Sequence, residues 1–360
     1  MRFHRASDEP PSVDQVSNAM ASTKGPEMVA DRPKLRIPST DIDQLMLGLE
    51  VHMHALAQCA ISSGWRLSFS GSDKTAIHYV LHGTGKMFVA DFPAFTLTPH
   101  TMVIVPMMLP VRMEVSEPNQ STMKSIDVNQ LDATPGKITR IIAGTGASEL
   151  VVVCGYFRTS YSRSIDIFDT LASPIIEKFD ESDRVDQSLT AALVEASAQR
   201  VGMAAMTASL LKQVVLTLLR RSLETPQLWA ERFPVLSDPL IARAFASMIA
   251  DPGLHHTTQS LARAAGLSRS AFMARFTRAF GIPPLAALRE LRMKHAVLLL
   301  DANILPVEQV AKTVGYLNRS SFSRAFRAIH GVDPSEYRAA ERARDRDFSP
   351  AITDNEDTKS

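Results

Sequence analysis

Basic side chains that could contact nucleic acid recur at helical spacing in two stretches of the last third of the chain, residues 258–280 and 307–330. Arginine binds phosphate oxygens and guanine edges, and small polar side chains add further hydrogen bonds. The sequence therefore predicts a DNA-binding surface. The expected contact residues are Arg269, Ser270, Met273, Arg275 and Arg278 in the first stretch, and Arg319, Ser320, Ser323, Arg324 and Arg327 in the second.

The first stretch has the pattern of two helices joined by a tight turn. Gly266 stands at the turn, where a residue without a side chain adopts the required backbone conformation most easily. Ser268 is a suitable N-cap for the helix that follows. Apolar residues recur every three or four positions on the side expected to face the core, and they are Leu261, Ala262, Ala265, Phe272 and Phe276.

The same pattern returns in residues 307–326. The residues that correspond to Ala262, Gly266, Phe272 and Phe276 are Ala311, Gly315, Phe322 and Phe326. One helix hairpin with a glycine turn is common, whereas two copies with arginines on the free face indicate a tandem helix-turn-helix domain. The alternative is that these arginines only solvate two helix hairpins.

A helix between the two copies is expected to set their spacing. Pro283 and Pro284 begin it, and it is expected to reach about Leu300 and to span roughly 24 Å. Two helix-turn-helix units joined in this way can place their second helices in successive major grooves, about 34 Å apart.

The charge distribution supports a nucleic-acid partner for this region only. The whole chain of 360 residues has a net charge of +1, but residues 238–340 hold 13 Arg and Lys against 7 Asp and Glu. The overall composition, 45% hydrophobic and 21% charged, is ordinary for globular proteins and excludes a wholly disordered or fibrous chain. The length predicts two or three domains.

Residues 41–180 are expected to form one domain that is rich in strands. Residues 1–40 lack periodicity and are predicted to be a disordered arm, and a helix is predicted from Asp41 to Gly64. Apolar alternation at short intervals then favours a small antiparallel barrel or sandwich, with a long loop and one short strand in residues 117–147. The predicted strands are 65–69, 75–81, 86–88, 95–98, 102–105, 111–115 and 150–157.

Three further segments are expected before and after the DNA-binding domain, residues 240–340. Residues 181–223 have the pattern of a helical hairpin. The apolar face of its second helix is expected either to cover the barrel or to form part of a dimer interface. Residues 224–239 contain three prolines and are predicted to be a linker. Residues 341–360 are predicted to be a disordered tail.

The C-terminal motif GYLNRSSFSRAFRAIHGVDPSEYR (Gly315–Arg338) resembles the signature of the AraC/XylS family of bacterial transcription regulators. LRELRMKHAVLLL (Leu288–Leu300) similarly resembles the central helix of that family. The resemblance implies a sequence-specific regulator that binds double-stranded promoter DNA, and activation through RNA polymerase rather than pure repression. An architectural DNA binder without sequence preference is one alternative.

By position, the resemblance places Ser270, Met273 and Ala274 where family members read bases. Met273 and Ala274 cannot form bidentate hydrogen bonds, although they can touch a thymine methyl group. The resemblance therefore implies weak base reading by the first helix, with Arg269, Arg275 and Arg278 on phosphates. Arg319 and Arg324 of the second helix are expected to contact bases or phosphates, and Arg327 the backbone.

Short fragments of residues 64–157 resemble, more loosely, the cupin-like domains attached to such regulators. They are Gly64-Trp65, VLHGTG at residues 80–85, FTL with VIVP in residues 95–106, and VCGYF at residues 153–157. The implied fold is a multidomain α+β protein, with an N-terminal cupin-like β-barrel and flanking helices before the all-α DNA-binding domain. The implied role of the barrel is to bind a small-molecule effector or to form a homodimer.

A metal-dependent cupin enzyme with an appended DNA-binding domain is the main alternative. His78, His82 and His100 could together bind a transition metal through imidazole nitrogens. However, the barrel has no His-x-His pair, and His52 and His54 would not share a face of the predicted helix. We therefore expect no metal, no cofactor and no enzymatic activity.

The two cysteines, Cys59 and Cys154, exclude a disulfide framework and favour a reducing compartment. Cys154 is expected to pack in the core, and a redox-sensing thiol is the alternative. Similarly, Trp65 and Phe69 either pack in the barrel or line a pocket. The N-terminus lacks the apolar segment of a signal peptide, and no apolar run approaches 18 residues, so a soluble cytoplasmic protein with no membrane partner is expected.

Overall fold

A computed structural model describes residues 37–117, 122–128, 139–198, 200–224 and 226–347. The predicted arm and tail therefore lie mostly outside the described residues. Where they overlap with the described ranges, both contain helix, because the first helix begins at Ser39 and the last extends to Asp347.

The predicted helix from Asp41 to Gly64 is wrong after Gly48, which is about one third of its length. Helix α1 (Ser39–Gly48) is followed directly by strand β1 (Glu50–Ile61). A β-bulge between Met53 and Ala55 shifts the alternation by one residue. Because of this shift, apolar residues on the two sides of the bulge are three residues apart instead of two or four. A spacing of three is also typical of an α-helix, so the sequence pattern was mistaken for a helix.

Ten more strands complete two sheets. They are β2 (Trp65–Phe69), β3 (Thr75–Gly83), β4 (Gly85–Val89), β5 (Phe95–Leu97), β6 (Thr101–Val105), β7 (Val111–Val115), β8 (Lys124–Val128), β9 (Thr139–Ala143), β10 (Leu150–Ser160) and β11 (Ile175–Lys178). One sheet has the order β11-β6-β3-β10-β1-β9 and the other β5-β4-β7-β2-β8. The predicted cupin-like barrel is confirmed, and the predicted 117–147 loop contains two strands rather than one. Residues 118–121 and 129–138 of that loop lie outside the described residues.

The two faces of the six-stranded sheet belong to different cores. On β3, Ala76 and Val80 join the core between the two sheets, whereas Ile77 and Tyr79 join a second core under the helices. Alternate residues of one strand point to opposite faces, so each strand of this sheet serves both cores. This explains why β3 and β10 are nearly continuous runs of buried residues.

Ten α-helices follow the sheets in the described part of the chain after residue 184. They are α2 (Val185–Ala198), α3 (Met203–Ser222), α4 (Pro226–Arg232), α5 (Pro239–Ala250), α6 (Thr258–Ala264), α7 (Arg269–Phe280), α8 (Pro284–Asp301), α9 (Val307–Thr313), α10 (Arg319–His330) and α11 (Pro334–Asp347). The first two, α2 and α3, are the arms of the predicted hairpin. Helix α3 is long and apolar enough to cross a membrane by length and composition alone. In this protein it packs against α2 and β1, which accounts for its buried stripe.

The segment predicted to be a linker, residues 224–239, packs into the core. Trp229 and Phe233 are buried, and the indole Nε1 of Trp229 donates a hydrogen bond to the Leu236 carbonyl at 3.2 Å. The three prolines do not prevent this, because Pro226 and Pro239 each stand at the start of a helix, where no backbone N–H is needed.

The two helix-turn-helix units belong to different hydrophobic clusters. The first unit joins the large core under the sheet through Leu261, Phe272 and Phe276. The second unit has a cluster of its own, formed by Met293, Ala296, Leu300, Val310, Ala311, Val314, Phe322 and Phe326. The first unit is thus part of the main body of the protein, whereas the second is attached to it through α8.

Candidate nucleic-acid interface

Local hydrogen bonds fix the start of each recognition helix, α7 and α10. The Ser268 hydroxyl accepts a hydrogen bond from the backbone N–H of Ala271 at 3.3 Å, as its sequence position predicts. The Asn318 side-chain oxygen accepts one from the N–H of Ser321 at 2.9 Å. Both caps hold the first turn of the helix that would approach DNA.

The turns before these helices differ by one residue. Gly266 and Gly315 have φ values of 67° and 83°, a left-handed conformation that glycine adopts without strain. Two residues separate Gly315 from the cap Asn318, but only one separates Gly266 from Ser268. The additional residue is Leu317, whose surface is 90% exposed. The two copies therefore do not correspond residue for residue across the turn.

The two recognition helices nevertheless present the same pattern of exposure. In each, the phenylalanines at the fourth and eighth positions are buried, and the first, second, sixth, ninth and tenth positions are exposed. Met273 and Ser323, both at the fifth position, are half-buried. The exposed residues are Arg269, Ser270, Ala274, Thr277 and Arg278 in α7, and Arg319, Ser320, Arg324, Arg327 and Ala328 in α10.

Arg275 does not lie on this exposed face. Its Nε and one Nη each lie 2.7 Å from the same carboxylate oxygen of Asp238. The other oxygen of Asp238 accepts from the N–H groups of Leu240 and Ile241 at the start of α5. The guanidinium of Arg275 thus holds α7 against α5, and its contact with a phosphate stays a prediction.

The other five arginines of the predicted set differ in their contacts. Arg319 donates a hydrogen bond to the Ser335 hydroxyl at 3.0 Å, and Arg327 pairs with Asp333 at 3.3 Å. Both partners lie at the start of α11, so this helix orients two side chains of α10. Among the residues that the structure describes, no hydrogen bond or ion pair is made by Arg269, Arg278 or Arg324.

The central helix α8 contributes a residue that the sequence reading missed. The Arg292 side chain donates to the carbonyls of Pro252 and Leu254, at 2.8 and 3.0 Å, and lies over the ring of Tyr316. It thereby connects the segment before the first unit to the turn of the second. In the sequence, the only indication of a role for Arg292 is its position in the segment that resembles the central helix of the family. That position does not show whether the side chain connects two segments or is exposed to solvent.

The three barrel histidines do not form a site. His78 is buried between the sheets next to Phe69, at 5.8 Å between ring centroids. His100 bonds instead to the Tyr79 hydroxyl at 3.3 Å, on the opposite face of β3, and His82 is exposed. No group of three or more His, Cys, Asp or Glu side chains could hold a metal ion within the described ranges. The cupin metal that the fold could imply does not fit these residues.

His52 and His54 lie on strand β1, not on a helix as predicted. Both line a cleft beside the DNA-binding domain, together with Glu50. The reason given for separating them, that they occupy a helix, is therefore wrong. His52 lies 3.5 Å from the Glu50 carboxylate.

The remaining residues singled out in the barrel belong to its packing. Cys154 and Cys59 are buried, and burial raises the pKa of the Cys154 thiol well above its usual range. A thiol that stays protonated is a poor nucleophile, which argues against a redox sensor. Phe69 is buried and Trp65 half-buried, with the Lys124 ammonium over the indole ring.

Comparisons with known proteins agree with the two halves of the fold. A cupin family model matches residues 42–224, and a helix-turn-helix domain model matches residues 261–340. The chain is 25% identical over 282 residues to the RCS-specific HTH-type transcriptional activator RclR of Escherichia coli K12, covering 78% of this chain and 90% of that protein.

Two other relatives match the C-terminal part. One is a putative AraC-like transcription regulator of Streptomyces antibioticus, 36% identical over 103 residues, which are 29% of this chain and 34% of that protein. The other is a crystal structure of the DNA-binding domain of AdpA, a global transcriptional factor, in complex with a target DNA. It is 31% identical, and the match covers 30% of this chain and 97% of that one, with a TM-score of 0.29.

Proposed function

Since the chain belongs to the AraC/XylS family of DNA-binding transcription regulators and carries the cupin domain of many of its members, we propose that it activates transcription by placing α7 and α10 in successive major grooves of a promoter. The observation that carries this proposal is the shared exposure pattern of the two helices, with arginines on both free faces. Helix α8, which lies between them, has 18 residues and is about 27 Å long. This length is compatible with two recognition helices in successive major grooves on one face of DNA.

The two helices would contribute differently to binding. At the sixth position of the helix, where an exposed side chain points away from the core, α10 has Arg324 and α7 has Ala274. A guanidinium can form two hydrogen bonds to guanine, whereas a methyl group can only touch a thymine methyl. We therefore assign base reading mainly to α10 and anchoring mainly to α7.

Contacts to phosphates would come from the arginines at the ends of the two faces. Arg269 and Arg278 are assigned to α7, and Arg319 and Arg327, which α11 orients, to α10. Hydroxyl side chains would add hydrogen bonds to either phosphates or bases. The remaining members of the proposed contact set are Ser270, Met273, Arg275, Ser320 and Ser323.

Several finer properties belong to the same proposal. Activation would require contact with RNA polymerase, a small molecule would control the placement of the DNA-binding domains, and two copies could pair through α3, where Met206 is 53% exposed. The protein would act in the cytoplasm and would carry out no reaction of its own. The histidine placement in the barrel supports this last point.

Sequencing of genomic DNA that the purified full-length protein retains at physiological salt tests the proposal. We expect discrete peaks upstream of genes, with a shared motif read at two positions one helical turn apart. Diffuse recovery with a steep salt dependence would instead identify an architectural DNA binder.

Arg324→Ala tests the assignment of base reading to α10. We expect the affinity for the recovered operator to fall by about 1–3 kcal/mol and the preference at one base pair to relax, because a bidentate contact is lost. The measurement is a fluorescence anisotropy titration against the operator and against single-base variants. Arg200→Ala, which removes the same charge from the exposed turn between α2 and α3, should leave both quantities unchanged. Unchanged base preference in Arg324→Ala would contradict the assignment.

A further inference from the structure

A group of polar contacts joins the two helix-turn-helix units at the point where α8 passes from one hydrophobic cluster to the other. Ala287 and Leu291 of α8 belong to the large core of the first unit, whereas Met293 and Ala296 belong to the cluster of the second. Arg292 stands between these two groups. Because the buried apolar residues of the two units form separate clusters, no common core fixes the orientation of one unit relative to the other.

The guanidinium of Arg292 contacts both units. Its Nε donates a hydrogen bond to the Pro252 carbonyl at 2.8 Å, and one Nη donates to the Leu254 carbonyl at 3.0 Å, both in the segment before α6. The same group lies over the ring of Tyr316, 5.7 Å from its centroid, in the turn between α9 and α10. A planar guanidinium presents its donors at fixed angles, so these contacts define an orientation as well as a distance. We call Arg292, residues 252–254 and residues 313–316 the seam.

Two glycines allow the backbones of the two units to touch within the seam. A Cβ on Gly315 would lie 2.6 Å from the Gly253 carbonyl oxygen and 2.7 Å from an Nη of Arg292. A Cβ on Gly253 would overlap with the Thr313 carbonyl oxygen. Gly253, unlike Gly315, does not have a positive φ. The requirement for glycine at position 253 therefore comes from the close approach of the two units and not from the conformation of its own backbone.

The seam acts at the end of α10 that would enter the groove. Tyr316 lies in the turn directly before α10, and the first residues of a recognition helix are those that contact base edges. The contacts of Glu290 and Lys294 with the cupin domain hold α8 and not this turn. Arg163 contacts the Ile329 carbonyl at the opposite end of α10. Among these contacts, those of the seam determine where the start of α10 lies.

We infer that the seam fixes the distance and the rotation of α10 relative to α7, and that Arg292 is the positioning residue that makes the protein specific for one spacing of the two DNA motifs that these helices read. The DNA part of the inference rests on the proposed function, whereas the geometric part concerns the free protein. One inserted base pair moves the second motif by about 3.4 Å along the DNA axis and about a tenth of a turn around it. A rigid seam cannot follow this movement.

Double electron–electron resonance on the free full-length protein measures the geometry. Spin labels are attached to cysteines introduced by Ser270→Cys and Ser320→Cys, at the second position of α7 and of α10, where both side chains are exposed. The native Cys59 and Cys154 are buried and therefore react poorly with the label. In the protein with an intact seam, we expect one narrow distribution of distances between the labels.

Two independent substitutions open the seam. Arg292→Met removes the donors and keeps a long side chain, and Gly253→Ala inserts a methyl group between the two backbones. Both should broaden the distance distribution. Arg292→Lys should broaden it as well, because it keeps the charge but not the planar set of donors. The controls are Arg289→Met, which removes the same charge from an exposed position of α8, and Gly146→Ala, whose added methyl group has no neighbouring atom within 4 Å.

Fluorescence anisotropy titrations against three operators measure the consequence for DNA binding. One operator has the native spacing, and the other two have one base pair inserted or removed between the motifs. The wild type and both controls should prefer the native spacing. In Arg292→Met and Gly253→Ala, we expect the ratio of the affinities for native and altered spacing to fall about tenfold. Their affinity for DNA with a single motif should stay at the wild-type value, since neither residue lies on α7 or α10.

Each outcome separates the geometry of the seam from its effect on DNA. Distance distributions that stay narrow in Arg292→Met and in Gly253→Ala overturn the inference. Broad distributions with an unchanged spacing ratio overturn the assignment of spacing specificity to Arg292. A wild-type protein without preference among DNA sequences overturns the proposed function, and the distance measurements then still decide whether the seam fixes α10 relative to α7.

Discussion

Phe322→Ala is expected to unfold the second helix-turn-helix unit while the first stays folded. Phe322 is fully buried in a cluster of eight residues and contacts the rings of Tyr316 and Phe326, both at 5.7 Å between centroids. Removal of a buried phenylalanine side chain costs about 3–5 kcal/mol. A cluster this small has few other contacts to offset that loss, and it is not continuous with the core of the first unit.

Hydrogen exchange followed by mass spectrometry measures this effect helix by helix. In Phe322→Ala, exchange should increase in α9 and α10 and stay near wild-type rates in α6 and α7. Phe272→Ala is the matched substitution in the first unit, and because Phe272 belongs to the large core, it should increase exchange in α5 and lower the melting temperature of the whole protein. Equal exchange increases in both units of Phe322→Ala would show that they unfold together, against the separation of the two clusters.

The stability of the protein should fall as the pH decreases from 6.5 to 4, in large part because of His78. The ring is buried between the sheets, and both of its nitrogens are without hydrogen-bond partners among the described residues. Burial lowers the pKa of His78 from 6.5 to about 4. Between these pH values the unfolded chain binds a proton that the folded protein excludes, so the contribution is fully present above pH 6.5 and is lost below it, by about 3 kcal/mol at most.

Urea unfolding of wild type and His78→Leu, near neutral pH and near pH 5, isolates this contribution. The variant should lose less stability than the wild type on acidification. At neutral pH it should be at least as stable, because leucine removes two unpaired polar atoms. His82→Leu is the control, since His82 is exposed and its removal should leave the wild-type dependence intact. The prediction would be falsified if His78→Leu and the wild type lost the same stability.

Much of the DNA-binding domain could be predicted because its signals are local. A glycine at the turn, a cap two or three residues later and phenylalanines four residues apart all act within one or two turns of helix. Ser268 caps α7 and Phe272 and Phe276 are buried as the spacing indicates. The strands with simple alternation, such as Trp65–Phe69 and Val111–Val115, were predicted to the residue for the same reason.

The wrong predictions concern segments whose structure depends on packing against residues that are distant in the chain. Residues 50–61 read as helix because the bulge opposite β10 disturbs the alternation, and β10 lies about a hundred residues away in the chain. Trp229 and Phe233 pack in the core although the prolines around them suggest a linker. In both cases the local pattern was compatible with two structures, and packing against another element selected one.

By itself, the sequence determined the domain types, the two recognition helices and the residues on their exposed faces, since the side chains along a helix follow from its period. Only the tertiary structure decided which of these side chains remain available. The Arg275 guanidinium forms an ion pair with Asp238, and the meeting of α8 with β1 creates the cleft around Leu298. The physical reason is that backbone periodicity is encoded locally, whereas ion pairs, burial and cavities depend on residues that folding brings together from distant parts of the chain.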